Sequence, residues 1–261
     1  MIRRGVESLR IGCVKYLNAQ PLIHGWPGEV VLDHPSVLCR MLAAAELDVA
    51  FVSSFEFLRH RDYAIVDDVA VAADGAVYSV FLAHNGDIEE VEEIALDPAS
   101  QTSVNLLRCL LAERGINARF TADDDAATEI TRTCARLMIG DQAIRFRQGS
   151  GSAHNFWDLA EEWKRLTALP FVFALWLIRP EVENGRALAE ALRQRRDENV
   201  TDLDAVIAEY PELDRAFCDY YLRECVRFYF GEAEKAGLLK FQELCEKHGI
   251  LPPHSRALRL L

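Results

Sequence analysis

Metal-binding spacing is missing from this chain. Its seven cysteines, Cys13, Cys39, Cys109, Cys134, Cys218, Cys225 and Cys245, form no CxxC pair, and none of its seven histidines falls in an HExxH pattern. Zinc and iron–sulfur chemistry therefore have no ligand framework in the sequence. The odd number of cysteines, mostly set inside apolar runs, reads as small buried hydrophobes in a reduced, cytoplasmic protein. A run of Lys and Arg is missing too: 29 basic against 41 acidic residues give a formal net charge of −12. Nucleic-acid phosphates find no basic face on such a chain. No apolar stretch approaches the ~20 residues that span a bilayer. The opening MIRRGVESLRIG holds no apolar core of a signal peptide. Neither an internal repeat nor a low-complexity segment occurs.

What is present is a chain of 261 residues, half of them hydrophobic, enough for one large domain or two modest lobes. Short apolar runs at 10–14, 30–33, 49–52, 64–66, 79–83, 93–96, 119–121, 135–139 and 171–178 predict strands. Helical patterns at 36–45, 53–58, 102–114 and 158–167 alternate with them, which predicts an α/β sheet with parallel strands. From about 183 onward the chain favours helix nearly throughout, with runs at 185–198, 202–209, 212–230 and 232–248. The polar turn at 84–87 and the long apolar run from 169 are the expected crossing points between lobes. The expected domains are residues 1–85 plus 173–261 for one lobe and 86–172 for the other, with a ligand cleft between them.

Five stretches carry candidate chemistry. KYLNAQPL at 15–22 follows the first strand; Asn18 either caps a helix or faces the cleft, where its amide both donates and accepts. DPASQTSV at 97–104 ends a strand and opens a helix, so its hydroxyls and free N–H groups either cap that helix or cradle a carboxylate. Asp97, its first residue, is expected either to stabilise a hinge as an acceptor or to serve in the site, the hinge being the favoured reading. Ser79 opens an apolar strand after Gly75 and has no GxSxG context, so a hydrolase triad is not supported. Asp141 and Gln142, after Gly140, either cap a short helix or stand at the cleft mouth. Asp158 with Glu161 has capping-box spacing, and Trp163 is expected in the core or between the lobes. Residues 145–155, RFRQGSGSAHN, are expected to form a flexible loop. Arg40 and Arg145 are the candidate cations for a locally positive cleft.

The order of these motifs is more telling than any one of them. YLNxxPL, DVAFVSS near 50, GAVYSV before 80, ALDPASQTSV near 100, IGD at 139–141 and DLAEEWKRLTALPFVFALW at 158–176 occur in sequence. Together they resemble the menaquinone-biosynthesis chorismate dehydratase family of the futalosine route. The resemblance covers residues 9–178 by motif and the tail by type. It implies an α/β, two-lobed type II periplasmic-binding-protein-like fold with a helical C-terminal segment, working as a cytoplasmic enzyme. It implies loss of water from chorismate to give 3-[(1-carboxyvinyl)oxy]benzoate, with no metal or organic cofactor. By motif it implies Asn18 and Ser79 as catalytic residues, and Ser100, Thr102 and Ser103 as carboxylate ligands; Tyr16 and Asp141 complete the expected substrate contacts. The expected partner is chorismate alone, without nucleic acid or membrane, in a monomer or homodimer. The sister enzymes of the 1,4-dihydroxy-6-naphthoate synthase type carry His-Glu where this chain has Gly140-Asp141. A solute-binding protein for small carboxylates would carry a signal peptide. A regulator's sensing domain would carry a DNA-binding segment.

Overall fold

A computed structural model describes residues 9–97, 100–122, 129–150, 153–253 and 257–261. Two five-stranded mixed sheets form the frame of two α/β lobes. The first has the order β2-β1-β3-β10-β4, from β1 (Ile11–Val14), β2 (Val30–Asp33), β3 (Val49–Ser53), β4 (Ala64–Ala73) and β10 (Phe171–Ile178). The second has the order β7-β6-β8-β5-β9, from β5 (Val80–His84), β6 (Glu93–Leu96), β7 (Arg119–Ala122), β8 (Cys134–Ile139) and β9 (Asn155–Asp158). In each sheet one strand enters antiparallel: β10 against β3 and β4, and β5 against β8 and β9.

The residues account for this layout. IGCV of β1 and VAFVS of β3 are buried throughout, and so is all but one residue of FVFALWLI in β10. Unbroken apolar runs suit central strands covered on both faces. VVLD of β2 and RFTA of β7 are more exposed, and both lie at sheet edges. Helices α1 (Pro35–Ala43), α2 (Ser54–Arg59), α3 (Gln101–Arg114), α4 (Gly140–Ser150) and α5 (Leu159–Thr167) cover the sheets, and α6 (Gly185–Thr201), α7 (Leu203–Ala208), α8 (Arg215–Tyr220) and α9 (Glu232–Lys247) form the tail. Trp163 is fully buried and donates from Nε1 to the Pro170 carbonyl at 3.1 Å, as expected of a core residue. Gly237 of α9 lies so close to that carbonyl that a Cβ there would stand 2.1 Å from it.

Three expectations need correction. The change of sheet falls between Ala73 and Val80, earlier than the turn at 84–87, because β5 pairs with β8 and β9 rather than with the first sheet. The 145–155 stretch is not a loop throughout: α4 runs to Ser150 and β9 begins at Asn155. Gly149 and Ser150 close that helix, where a glycine costs little, and Gly151 and Ser152 lie outside the described residues. The 212–230 run is not one helix. It breaks into α8, a π-helical turn at Tyr221–Cys225, and an extended stretch in which Arg227 bridges to Ala72.

Candidate active site

A cavity of about 520 Å³, its open mouth included, lies between the sheets. Its apolar wall includes Val14, Phe51, Val77, Val80, Ile139 and Phe173; its polar groups come from Tyr16, Asn18, Ser53, Ser100 and Ser103. No lining side chain among the described residues is an acid or a basic cation. The expected cations stand elsewhere. Arg40 is exposed on α1, and Arg145 lies at the outer mouth, 3.5 Å from Glu212. A bound anion would be held by hydroxyls, an amide and the N-terminus of α3.

Each polar group is placed by its element. The chain leaves β1 and turns at once into a short 3₁₀ helix, Leu17–Leu22, so Asn18 is not a cap: that position belongs to Tyr16. Asn18 lines the cavity and its Nδ2 donates to the phenol oxygen of Tyr221 at 3.3 Å. Ser79, from the segment that crosses between lobes, places its Oγ 2.6 Å from the same phenol oxygen. Ser79 is fully buried and sits between the wall residues Val77 and Val80 rather than in the wall itself. Its segment is held by Asp158, whose carboxylate accepts from Tyr78 N at 2.8 Å, from Val77 N, and from Ala160 N and Glu161 N at the start of α5. Burial raises the Asp158 carboxyl above its usual range, against the bonds from Val77, Tyr78 and Glu161 and the charge of Arg147. Glu161 turns instead to Arg165 at 2.7 Å, so the expected capping box is only half made. Tyr78 adopts a left-handed φ of 69° immediately before Ser79, a conformation that costs a side-chain-bearing residue roughly 1–3 kcal/mol.

At the start of α3 the Ser100 hydroxyl caps Ser103 N at 3.3 Å and meets Ser103 Oγ at 3.2 Å. Both hydroxyls line the cavity; Pro98 and Ala99 of the same motif lie outside the described residues. Thr102 does not line it. Its Oγ1 meets Ser53 Oγ and Ser54 Oγ and accepts from Phe55 N at 3.1 Å, which ties α3 to the β3–α2 turn. Asp141 also lies off the cavity: its Oδ1 accepts from Leu17 N at 3.0 Å, joining the two lobes at the mouth. Burial raises its carboxyl, and the Leu17 N–H partly offsets that. Gln142 donates to Asp97, a bond made within the second lobe. Tyr16 divides the cavity from the mouth. Its ring packs on Gly140, whose φ is +64°, and its hydroxyl lies 3.3 Å from His34 Nδ1. Burial raises the Tyr16 phenol, with smaller contributions from Asp97 and Asp141.

A family model described as menaquinone biosynthesis matches residues 9–247. The chain belongs to that family. Among its relatives, the chorismate dehydratase of Thermus thermophilus is 33% identical over 254 residues, covering 89% of this chain and 93% of that protein. The chorismate dehydratase of Campylobacter jejuni is 25% identical over 237 residues, covering 88% and 91%. Protein AF1704 of Archaeoglobus fulgidus superposes with a TM-score of 0.70 at 19% identity, covering 93% of this chain and 98% of that one. The periplasmic aliphatic sulphonate binding protein SsuA of Escherichia coli superposes at 0.64 and 15% identity, covering 94% of each chain. These two likenesses establish the periplasmic-binding-protein-like fold.

Within this menaquinone-biosynthesis protein the structure brings Tyr16, Asn18, Ser100 and Ser103 to one cavity, puts Ser79 directly behind its wall, and leaves Thr102 and Asp141 outside. Sequence reasoning missed Ser53 and Tyr221. Ser53 stood in the DVAFVSS motif at the end of β3, a position where strand ends meet ligands. Tyr221 had no signal: one tyrosine in a helical pattern reads as core.

Proposed function

We propose that the protein is a chorismate dehydratase, a hydro-lyase that removes the C3 proton and the C4 hydroxyl of chorismate to give 3-[(1-carboxyvinyl)oxy]benzoate. The observation that carries this is the meeting of Asn18, from the turn after β1, and Ser79, from the segment that crosses between the lobes, on one phenol beside a cavity with no charged lining side chain. Aromatisation supplies the driving force. The protein's work is then to hold a dianion and to stabilise charge developing on the leaving oxygen. Ser100, Ser103 and the α3 N-terminus suit a carboxylate. Asn18 presents an amide to the reacting ring, and Ser79, behind the wall, is joined to that amide through the Tyr221 phenol. No His, Lys, Asp or Glu lines the cavity among the described residues, which favours the substrate's own side-chain carboxylate as the base. The seven free thiols support a reducing, cytoplasmic setting.

The test is to incubate the protein with chorismate in the presence of a chelator and to follow mass and ultraviolet absorbance. An aromatic product one water lighter is expected. Asn18→Ala should reduce kcat by about 10²–10³-fold, the cost of losing one preorganised donor. Chorismate that binds but stays unchanged would make this a carboxylate-binding protein instead. Full turnover by Asn18→Ala would remove Asn18 from the mechanism.

A further inference from the structure

The proposed chemistry uses Asn18 and Ser79, yet both are tied to a third group it does not use. Tyr221 is buried, and burial holds its phenol neutral well above neutral pH, with Asp141 adding to that and the bonds to Ser79 and Asn18 opposing it. Its oxygen accepts from Asn18 Nδ2 at 3.3 Å and lies 2.6 Å from Ser79 Oγ. Among the described residues these are its only hydrogen-bond partners. A neutral phenol has one proton to give. Asn18 Nδ2 is itself a donor, so that proton must go to Ser79 Oγ or be left buried and unpaired, at a cost of about 1–3 kcal/mol.

The polarity of the chain is therefore set: Asn18 N–H to Tyr221, Tyr221 O–H to Ser79. It has two consequences. The Asn18 amide is locked with Nδ2 toward the tail, which leaves its Oδ1 and its second N–H for the cavity. The Ser79 hydroxyl acts as acceptor toward Tyr221 and keeps its own proton free to donate.

The backbone supports the same placement. Tyr221 opens the π-helical turn, with Val226 N donating to its carbonyl at 3.2 Å over a five-residue step. Such turns recur at functional positions because they redirect a side chain within a helix. Its ring stacks on Phe217 (centroids 5.8 Å apart, planes 10° off parallel), and Phe217 in turn packs on Tyr78, the strained residue before Ser79.

We propose that Tyr221 is a positioning residue for the dehydration, its phenol setting the orientation of the Asn18 amide and the Ser79 hydroxyl. This rests on the reading that those two residues serve the reaction. The test is a double-mutant cycle on chorismate turnover. Tyr221→Phe keeps the ring and its stacking and removes only the hydroxyl. It should lower kcat by roughly tenfold, about one hydrogen bond's worth, with KM changed less than about threefold. In an Asn18→Ala background the same change should cost clearly less than in the wild type, because only the Ser79 hydroxyl is left to orient. Wild-type turnover with a Tyr221→Phe loss equal in both backgrounds would overturn the proposal while leaving the dehydratase reading intact. So would an unchanged kcat in Tyr221→Phe. A wild-type protein inactive on chorismate would overturn the dehydratase reading and this role together. If Tyr221→Phe does not fold, the cycle of Ser79→Ala with Asn18→Ala decides instead: linked through the phenol, their losses should be less than multiplicative, and multiplicative losses would refute the link.

Discussion

Replacing Gly140 by alanine should cost both stability and turnover, and a second glycine provides the control. Gly140 and Gly115 both adopt left-handed φ, +64° and +71°. An L-residue in that region costs roughly 1–2 kcal/mol, and this applies to both. Their surroundings differ. A Cβ on Gly115 would meet nothing within 4 Å, whereas one on Gly140 would stand 2.9, 3.0 and 3.1 Å from Tyr16 Cδ1, Cε1 and Cγ. The Tyr16 ring would have to move, and overpacking of this kind adds about 1–3 kcal/mol. Gly115→Ala should therefore lose only the backbone cost, and Gly140→Ala about 1–3 kcal/mol more. For a chain of this size each kcal/mol lowers the melting midpoint by about 2–4 °C. Urea unfolding at pH 7 measures both losses, and chorismate turnover at a temperature where both variants are folded separates wall from fold. Turnover should survive in Gly115→Ala and fall in Gly140→Ala, because the displaced ring belongs to the cavity wall. Equal stability losses together with unaltered turnover in Gly140→Ala would show that the Tyr16–Gly140 contact holds neither the wall nor the fold.

Other outcomes follow from the same kind of packing. Gly237→Ala puts a methyl against the Pro170 carbonyl; α9 has to shift, and thermal unfolding should show a loss of about 3 kcal/mol or more. Asp141→Asn keeps an acceptor for Leu17 N and removes a carboxyl that burial raises. A raised carboxyl favours the folded state below its ordinary titration range, and that advantage is lost as pH rises through the range and above it. The Asn variant should therefore be more stable than the parent at pH 7, with the two stabilities converging toward pH 4 in parallel unfolding curves. Divergence on acidification would reverse the reasoning.

Much of the frame was legible because its strands are apolar runs with nothing ambiguous between them. IGCV, VAFVS and FVFALWLI each have to be buried, and each lies near a sheet's centre. Pairing partners were not legible. Nothing in the composition of Val80–His84 says that it joins β8 and β9 across the lobe boundary. Strand β4 was expected to stop near Val66 and runs to Ala73, because Asp67 and Asp68 interrupt the apolar pattern. The structure absorbs them: Asp68 takes a left-handed φ of 62° and meets the buried guanidinium of Arg196. At the site, Asn18, Ser100 and Ser103 were visible as polar groups at strand and helix ends. Thr102 shared the same hydroxyl-rich motif, and only tertiary contact could show that its oxygen is used against Ser53 and Ser54. Tyr221 stayed hidden because a phenol gains its meaning from neighbours distant in sequence.

The threading of the sheets also bears on how the chain is made. All five strands of the second sheet come from one continuous stretch, Val80 to Asp158. The first sheet is different: β3 and β4 do not touch as sheet partners until β10 is laid between them. As the chain leaves the ribosome, the later lobe has all its strands before the earlier one does. The N-terminal strands, with Asn18 already in place beside them, must wait with an open edge until Phe171–Ile178 emerges. That edge is apolar, so the interval before β10 arrives is when this protein is most exposed to aggregation. Variants that slow completion of the nested lobe should lengthen it.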